Sequence, residues 1–109
     1  MTRHRVMVEA SARVEIAQAY LWLAERSPDD AERWFNRLYA TIESLELFPE
    51  RCPLAPESQF FNREIRQIFH GRRQHKYRIL FAVSDRGVRV LHVRHGAWRA
   101  LGDPEAGTQ

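Results

Sequence analysis

Basic residues crowd into one stretch of the chain, residues 63–99, and their types and spacing point to anion recognition. The stretch holds ten Lys/Arg and four of the five His against only Glu64 and Asp85, so its formal charge is +8. Residues 1–62 carry −3 and residues 100–109 carry −2, so the net charge of +3 conceals a polarised molecule. Apolar and basic residues alternate within the stretch, as in a half-buried sheet. A sheet with cations on one face can bind phosphates or an acidic partner.

Other site chemistries find little support in the residue pattern. The chain has no Gly-rich phosphate loop, CxxC motif or HExxH motif, so we expect neither a metal nor any other cofactor. The single cysteine, Cys52, has no neighbouring group that would activate its thiol, and we predict that it is inert. His92 and His95 are three residues apart in a predicted strand, so they face opposite sides and cannot share a metal. We interpret His92 as a hydrogen-bonded structural residue.

Two helices are predicted ahead of the basic stretch. Ser11 is the predicted N-cap of a first helix that runs to about Arg26. Ser27 is the predicted N-cap of the second helix, with Pro28 at the first helical position and two aspartates at the positive end of the helix dipole. The second helix ends at Pro49. Its apolar face comprises Ala31, Trp34, Phe35, Leu38, Ile42 and Leu45. The short link predicts an antiparallel helical hairpin.

The remaining periodic segments are predicted strands. A short strand spans about 5–9, and three more follow a proline-rich loop at about 64–70, 77–84 and 88–95. The segment 77–84 is almost continuously apolar, which is typical of a central strand covered on both faces. Asp85-Arg86-Gly87 is the predicted hairpin turn. The fold class is therefore α+β: an N-terminal strand and a helical hairpin packed on a small, mainly antiparallel twisted sheet with a C-terminal three-stranded meander.

Length and composition predict a single domain. A chain of 109 residues, of which 44% are hydrophobic, can bury one core. We assign residues 1–101 to this domain and expect residues 102–109 to form a flexible tail. No segment approaches ~18 consecutive apolar residues, and the N-terminus has no apolar signal region. We therefore expect a cytoplasmic protein rather than a secreted or membrane-spanning one.

Several motifs, taken in order, resemble the RelE/ParE family of small bacterial toxins from type II toxin–antitoxin systems. They are the L-x-x-F-P ending of the hairpin (Leu45–Pro49), the strand opening Arg63–Arg66, the YRI-L-F strand (Tyr77–Phe81) and the V-x-H-V-R-H-G strand end (Val90–Gly96). The resemblance covers about residues 4–99. The long hairpin and the strand ending are closer to the ParE-like, plasmid-stabilisation branch.

The resemblance implies a toxin, but its mechanism stays open at this point. ParE-like members poison DNA gyrase by binding, RelE-like members cut mRNA on the ribosome, and both are neutralised by a co-expressed antitoxin that lies along the toxin surface. We favour the gyrase mechanism. One alternative is a metal-independent mRNA endonuclease, so whether the chain is an enzyme is left undecided. A further alternative is a non-toxic basic module that binds only its antitoxin, or RNA loosely.

A nuclease needs a base, an acid and cations around one phosphate. The resemblance implies that Arg78 is the phosphate-stabilising cation, assisted by Arg66 on the preceding strand. His95, or Arg99 a turn later, would serve at the C-terminal end. Trp98 stands where a nuclease member often has a cation, and no tyrosine follows it. Both departures favour the mechanism without RNA cleavage.

The same basic stretch supplies the predicted contacts to a partner or to RNA. These candidates are Arg66, Tyr77, Arg78, Arg94 and Trp98. The cognate antitoxin should contribute an acidic, amphipathic segment that covers the Arg66/Arg78/Arg94 face or the groove of the helical hairpin.

Overall fold

A short strand, two long helices and three further strands follow one another in the computed structural model, which describes residues 3–71 and 76–96. The main elements are β1 (Val6–Val8), α1 (Ala10–Arg26), α2 (Pro28–Glu43), β2 (Arg66–His70), β3 (Tyr77–Ser84) and β4 (Gly87–His95). Between α2 and β2 lie the 3₁₀ turns Ser44–Glu46 and Pro49–Arg51 and the short helix α3 (Ser58–Phe61). This order confirms the predicted α+β class. The predicted tail and the candidates Trp98 and Arg99 lie outside the described residues.

The four strands form one sheet in the order β1-β4-β3-β2. The last three strands form the predicted antiparallel meander, and β1 adds to its edge in parallel with β4. Tyr77 pairs with His95 and Arg78 pairs with Arg94. The register shifts between Leu80 and Phe81, which leaves Leu91 as an extra residue of β4. This β-bulge exchanges the two faces of β4 beyond residue 91.

The second helix begins as the sequence predicts. The Ser27 side chain accepts a hydrogen bond from the Asp30 amide, and Pro28 occupies the first turn. The end of α2 comes earlier than predicted, at Glu43 rather than at Pro49. The Ser44 amide donates to the carbonyls of both Ala40 and Ile42, so the chain tightens into a 3₁₀ turn before the proline is reached.

The predicted N-cap of the first helix is wrong. Helix α1 already begins at Ala10, with Glu9 as its N-cap, and no side chain caps it. The Glu9 amide is held by the Val90 carbonyl at 2.9 Å, so the helix starts directly after β1. Ser11 therefore lies in the first turn, where its hydroxyl donates to the Leu91 carbonyl of β4 at 2.7 Å.

The sheet is covered on both faces. Both helices pack on one face, and the main core there includes Ile16, Leu38, Ile42, Ile79 and Phe81. On the opposite face, which we call the outer face, Leu80 is buried in a smaller cluster with Ala55 and Ile65. The continuous apolar run of β3 was thus correctly interpreted as a central strand. Within the described residues, no helix is both long and apolar enough to cross a membrane.

Candidate functional site

Arg78, the principal candidate in β3, lies in a buried ion pair on the outer face. Its side chain is 7% exposed, and the Glu57 carboxylate opposite it is 0% exposed. Nη1 and Nη2 donate to the two Glu57 oxygens at 3.0 and 2.6 Å, and Nη1 also donates to Gln67 Oε1 at 2.9 Å. The charge of Arg78 is therefore matched by a carboxylate and shielded from solvent.

Glu57 reaches this position because its loop is fastened over the sheet. The neighbouring Ser58 hydroxyl accepts from the Ile65 amide at 2.8 Å and donates to the Ile65 carbonyl at 2.9 Å. The Ala55 amide donates to the same carbonyl at 2.6 Å. We did not predict a role for Glu57 from the sequence. The available signal was that it is the one acidic residue between 51 and 63, in a loop with apolar neighbours.

Arg94 shares the outer face with Arg78, because the two residues are directly opposite each other in β3 and β4. Arg94 also lies beside a carboxylate, with its Nη1 at 3.5 Å from Glu15 Oε2. The same carboxylate accepts from the Val93 amide at 3.0 Å and lies 3.1 Å from His92 Nδ1. Glu15 thus ties α1 to the part of β4 that extends past β1, and His92 is hydrogen-bonded as interpreted from the sequence.

The predicted grouping of Arg66 with Arg78 and Arg94 on one face is wrong. Arg66 pairs with Phe81, whose ring lies in the core under the helices, so its side chain lies on the helix side of the sheet. Its guanidinium donates to the carbonyls of Cys52 at 2.7 Å and Glu50 at 3.3 Å. Arg66 therefore anchors the loop that follows α2.

His95 also lies on the helix side. It stacks edge-on against Tyr77 at a ring-centroid distance of 5.3 Å, and Tyr77 in turn contacts Trp34 at 5.1 Å. Burial raises the pKa of Tyr77, so its hydroxyl stays protonated near neutral pH. Because Arg66 pairs with Phe81 and His95 with Tyr77, the two candidates are separated along the sheet by four residues, about 13 Å.

The described candidates for catalysis therefore do not converge. Arg78 lies on the outer face. Arg66 and His95 lie on the helix side, at positions four residues apart along β3. Burial raises the pKa of the Cys52 thiol, which disfavours its reactive thiolate form. In residues 3–71 and 76–96, no three His, Cys, Asp or Glu side chains are grouped closely enough to hold a metal ion.

Comparison with known protein families gives one match for this chain. Residues 6–98 match the family model described as ParE toxin of type II toxin-antitoxin system, parDE. The match spans every strand and both long helices. No curated protein matches the chain.

Proposed function

The chain belongs to the ParE toxin family of type II toxin–antitoxin systems, and we propose that it acts by binding and inhibiting DNA gyrase rather than by cutting RNA. The observation that carries this proposal is the burial of Arg78 against Glu57. A phosphate-stabilising cation must reach a phosphate oxygen directly. Here Nη1 and Nη2 of Arg78 already donate hydrogen bonds to the two carboxylate oxygens of Glu57.

RNA cleavage on this scaffold would need a rearrangement. RNA could reach Arg78 only if the loop that carries Glu57 moved, and that movement would break both hydrogen bonds of a buried ion pair. Arg66 and His95 would still lie across the sheet from the phosphate. Binding to a protein target requires no such movement.

One observation favours the nuclease as a second candidate function. Arg78 and Arg94 are directly opposite each other, and the imidazole of His92 lies on the same carboxylate as Arg94. If the Glu57 loop opened, two cations and a histidine oriented by a carboxylate would face one phosphodiester. This arrangement would use His92 as the base in place of His95.

A paired substitution separates the two mechanisms. Arg78→Met/Glu57→Leu removes both charges together, and exchanging a buried ion pair for apolar residues of similar volume is often neutral for folding. A gyrase inhibitor should keep its toxicity, whereas a nuclease should lose it. Circular dichroism and thermal unfolding of the double variant must first match the parent protein.

The target is tested by inducing the parent chain without antitoxin in a bacterium and pulse-labelling DNA and protein synthesis side by side. Gyrase inhibition predicts that DNA synthesis stops first, and that the purified chain blocks plasmid supercoiling by gyrase. If protein synthesis stops first and mRNA is cut on ribosomes, the second candidate replaces the first. If neither stops, the chain has the family fold without the toxic activity.

We also propose that an acidic antitoxin neutralises the chain. The formal charge of +3 and the concentration of basic residues in 63–99 support a partner of opposite charge. Co-expression with the antitoxin should restore growth and yield a stable complex on gel filtration.

A further inference from the structure

The two sides of the sheet differ in how their backbone groups are bonded. On the β1 side, α1 supplies partners to β4 where β1 ends. The Ser11 hydroxyl donates to the Leu91 carbonyl at 2.7 Å, and the Glu15 carboxylate accepts from the Val93 amide at 3.0 Å. Side chains of the same chain therefore occupy this part of the sheet margin. Proteins generally protect such margins, because free N–H and C=O groups there can pair with a strand of another chain.

The opposite edge, formed by β2, is occupied over only part of its length. The Ala55 amide donates to the Ile65 carbonyl at 2.6 Å, and the Gln67 amide donates to the Pro53 carbonyl at 3.0 Å. Because backbone groups alternate in direction along an antiparallel strand, these bonds show that odd-numbered residues of β2 direct their groups away from β3. Phe69 is the next such residue. Its amide and carbonyl have no hydrogen-bond partner across this edge in the described part of the chain.

The side chain of Phe69 adds an apolar contact to this open edge. It is 46% exposed and lies on the outer face, since Phe69 pairs with Arg78. Edge strands are commonly protected by a charged residue or a proline, and Phe69 is neither. An exposed aromatic ring beside a free backbone donor and acceptor suits strand addition, in which main-chain hydrogen bonds give affinity and side-chain contacts give specificity.

The charge around this edge favours an acidic strand. Residues 63–76 hold five Lys/Arg and one Asp/Glu, a formal charge of +4. Lys76 directly precedes β3 with its Nζ 5.2 Å from the Phe69 ring centroid, and Arg63 precedes β2. Both cations are exposed, and neither forms an ion pair with any residue in the described ranges. A second copy of the chain would bring like charges together across the edge, so self-pairing is disfavoured.

We infer that an extended acidic segment of the target enzyme adds to the open edge of β2 beside Phe69, an inference that rests on the proposed inhibition of gyrase. A carbonyl of the incoming strand accepts from the Phe69 amide, and one of its amides donates to the Phe69 carbonyl. Carboxylates of the segment pair with Lys76 and Arg63. Strand addition at this edge leaves the buried pair of Arg78 and Glu57 in place, as inhibition without a rearrangement requires.

Phe69→Pro tests the edge directly, because it removes the outward amide donor without removing a hydrogen bond to β3. Phe69→Ala is the matched control, since it also removes the ring but keeps the donor. Each full-length variant is assayed for inhibition of plasmid supercoiling by purified DNA gyrase. We expect Phe69→Pro to require at least about tenfold more protein than Phe69→Ala for half-inhibition, because the facing carbonyl of the target is left without its donor.

Lys76→Glu tests the charge of the edge, and it remains informative if thermal unfolding shows that Phe69→Pro does not fold. Arg86→Glu is its control, because Arg86 is an exposed cation in the turn between β3 and β4, at the far end of the sheet. We expect Lys76→Glu to raise the half-inhibitory concentration at least about fivefold and Arg86→Glu to change it by less than about twofold, since only Lys76 faces the acidic segment.

Three results would overturn the inference. Phe69→Pro and Lys76→Glu could each inhibit gyrase as well as their controls do, which would place the target elsewhere on the surface. Phe69→Pro could lose binding to the purified antitoxin while it inhibits gyrase fully, which would assign the edge to the antitoxin. The parent chain could form a dimer on gel filtration that Phe69→Pro abolishes, which would assign the edge to a second copy. Failure of the proposed function gives a different result, because the parent chain itself would then leave supercoiling unchanged.

Discussion

Glu57→Gln is the single substitution whose effect on stability the structure predicts most clearly. The change keeps the shape of the side chain but removes the carboxylate charge, so the Arg78 guanidinium, 7% exposed, loses the counterion that Glu57 supplies. Removing one partner of a buried pair costs about 3–5 kcal/mol of unfolding free energy. In a domain of this size that loss corresponds to a fall in melting temperature of at least about 12 °C. Since small domains have only about 5–15 kcal/mol of stability in total, the variant should be marginally folded.

Urea unfolding followed by tryptophan fluorescence measures this cost, and a double-mutant cycle isolates the pair. Arg78→Met should also destabilise the protein, because the Glu57 carboxylate, which is 0% exposed, then loses the guanidinium charge that faces it. Arg78→Met/Glu57→Leu should cost less than the sum of its single substitutions by at least about 2 kcal/mol. The control is Glu50→Gln, an exposed carboxylate at the start of the same connection, which should change stability by less than about 0.5 kcal/mol. If Glu57→Gln also costs less than about 1 kcal/mol, the pair is not a structural anchor.

Three further substitutions test the local physics of the fold. Gly87→Ala should cost at least about 2 kcal/mol in thermal unfolding, because Gly87 has φ +122° and an added Cβ would lie 2.3 Å from the Arg5 carbonyl oxygen; an unchanged melting temperature would contradict this geometry. Ser27→Ala should cost about 1 kcal/mol in urea unfolding through loss of the α2 cap, with recovery in Ser27→Asn, and equal stability of all three chains would exclude the cap. Burial lowers the pKa of His70 from its usual 6.5, so the unfolded chain takes up the proton first, and stability should fall as pH drops below that value towards the lower native pKa. Urea midpoints measured from about pH 7.5 to pH 5 should therefore decline more in the parent protein than in His70→Asn, and parallel curves would contradict the assigned shift.

Local signals explain why most of the fold could be predicted. Ser27 and Pro28 act on the helix that they begin, and the apolar spacing of α2 selects its buried face without reference to distant residues. The start of α1 was missed for the opposite reason. Ser11 has the chemistry of an N-cap, but its hydroxyl bonds to Leu91, a residue 80 positions away. A contact at that separation depends on the completed sheet.

The arrangement of the site depended on a feature that periodicity does not show. Strict alternation along β4 would place Arg94 on the same side as Val90, which lies in the core under the helices. The bulge at Leu91 reverses this relation, so Arg94 lies beside Arg78 on the outer face. One inserted residue therefore decides which cations are neighbours. The burial of Arg78 escaped prediction as well, because Glu57 precedes it by 21 residues in an irregular loop.

The positions of basic residues along the sequence did not predict which charges are exposed and free to contact a partner. The strands carry the excess of basic residues, yet the ones assigned to a common face are engaged: Arg78 with Glu57, Arg94 with Glu15, and Arg66 with backbone carbonyls. The hairpin lies in a segment with net charge −3, yet Arg37 projects there with no carboxylate partner among the described residues. A charge that is already paired and desolvated contributes little to attracting a partner, whereas an exposed one steers association and can form a new pair. Basic residues of the strands such as Arg66 and Arg78 are therefore expected to act mainly in holding the fold together, because their charges are already engaged within the structure.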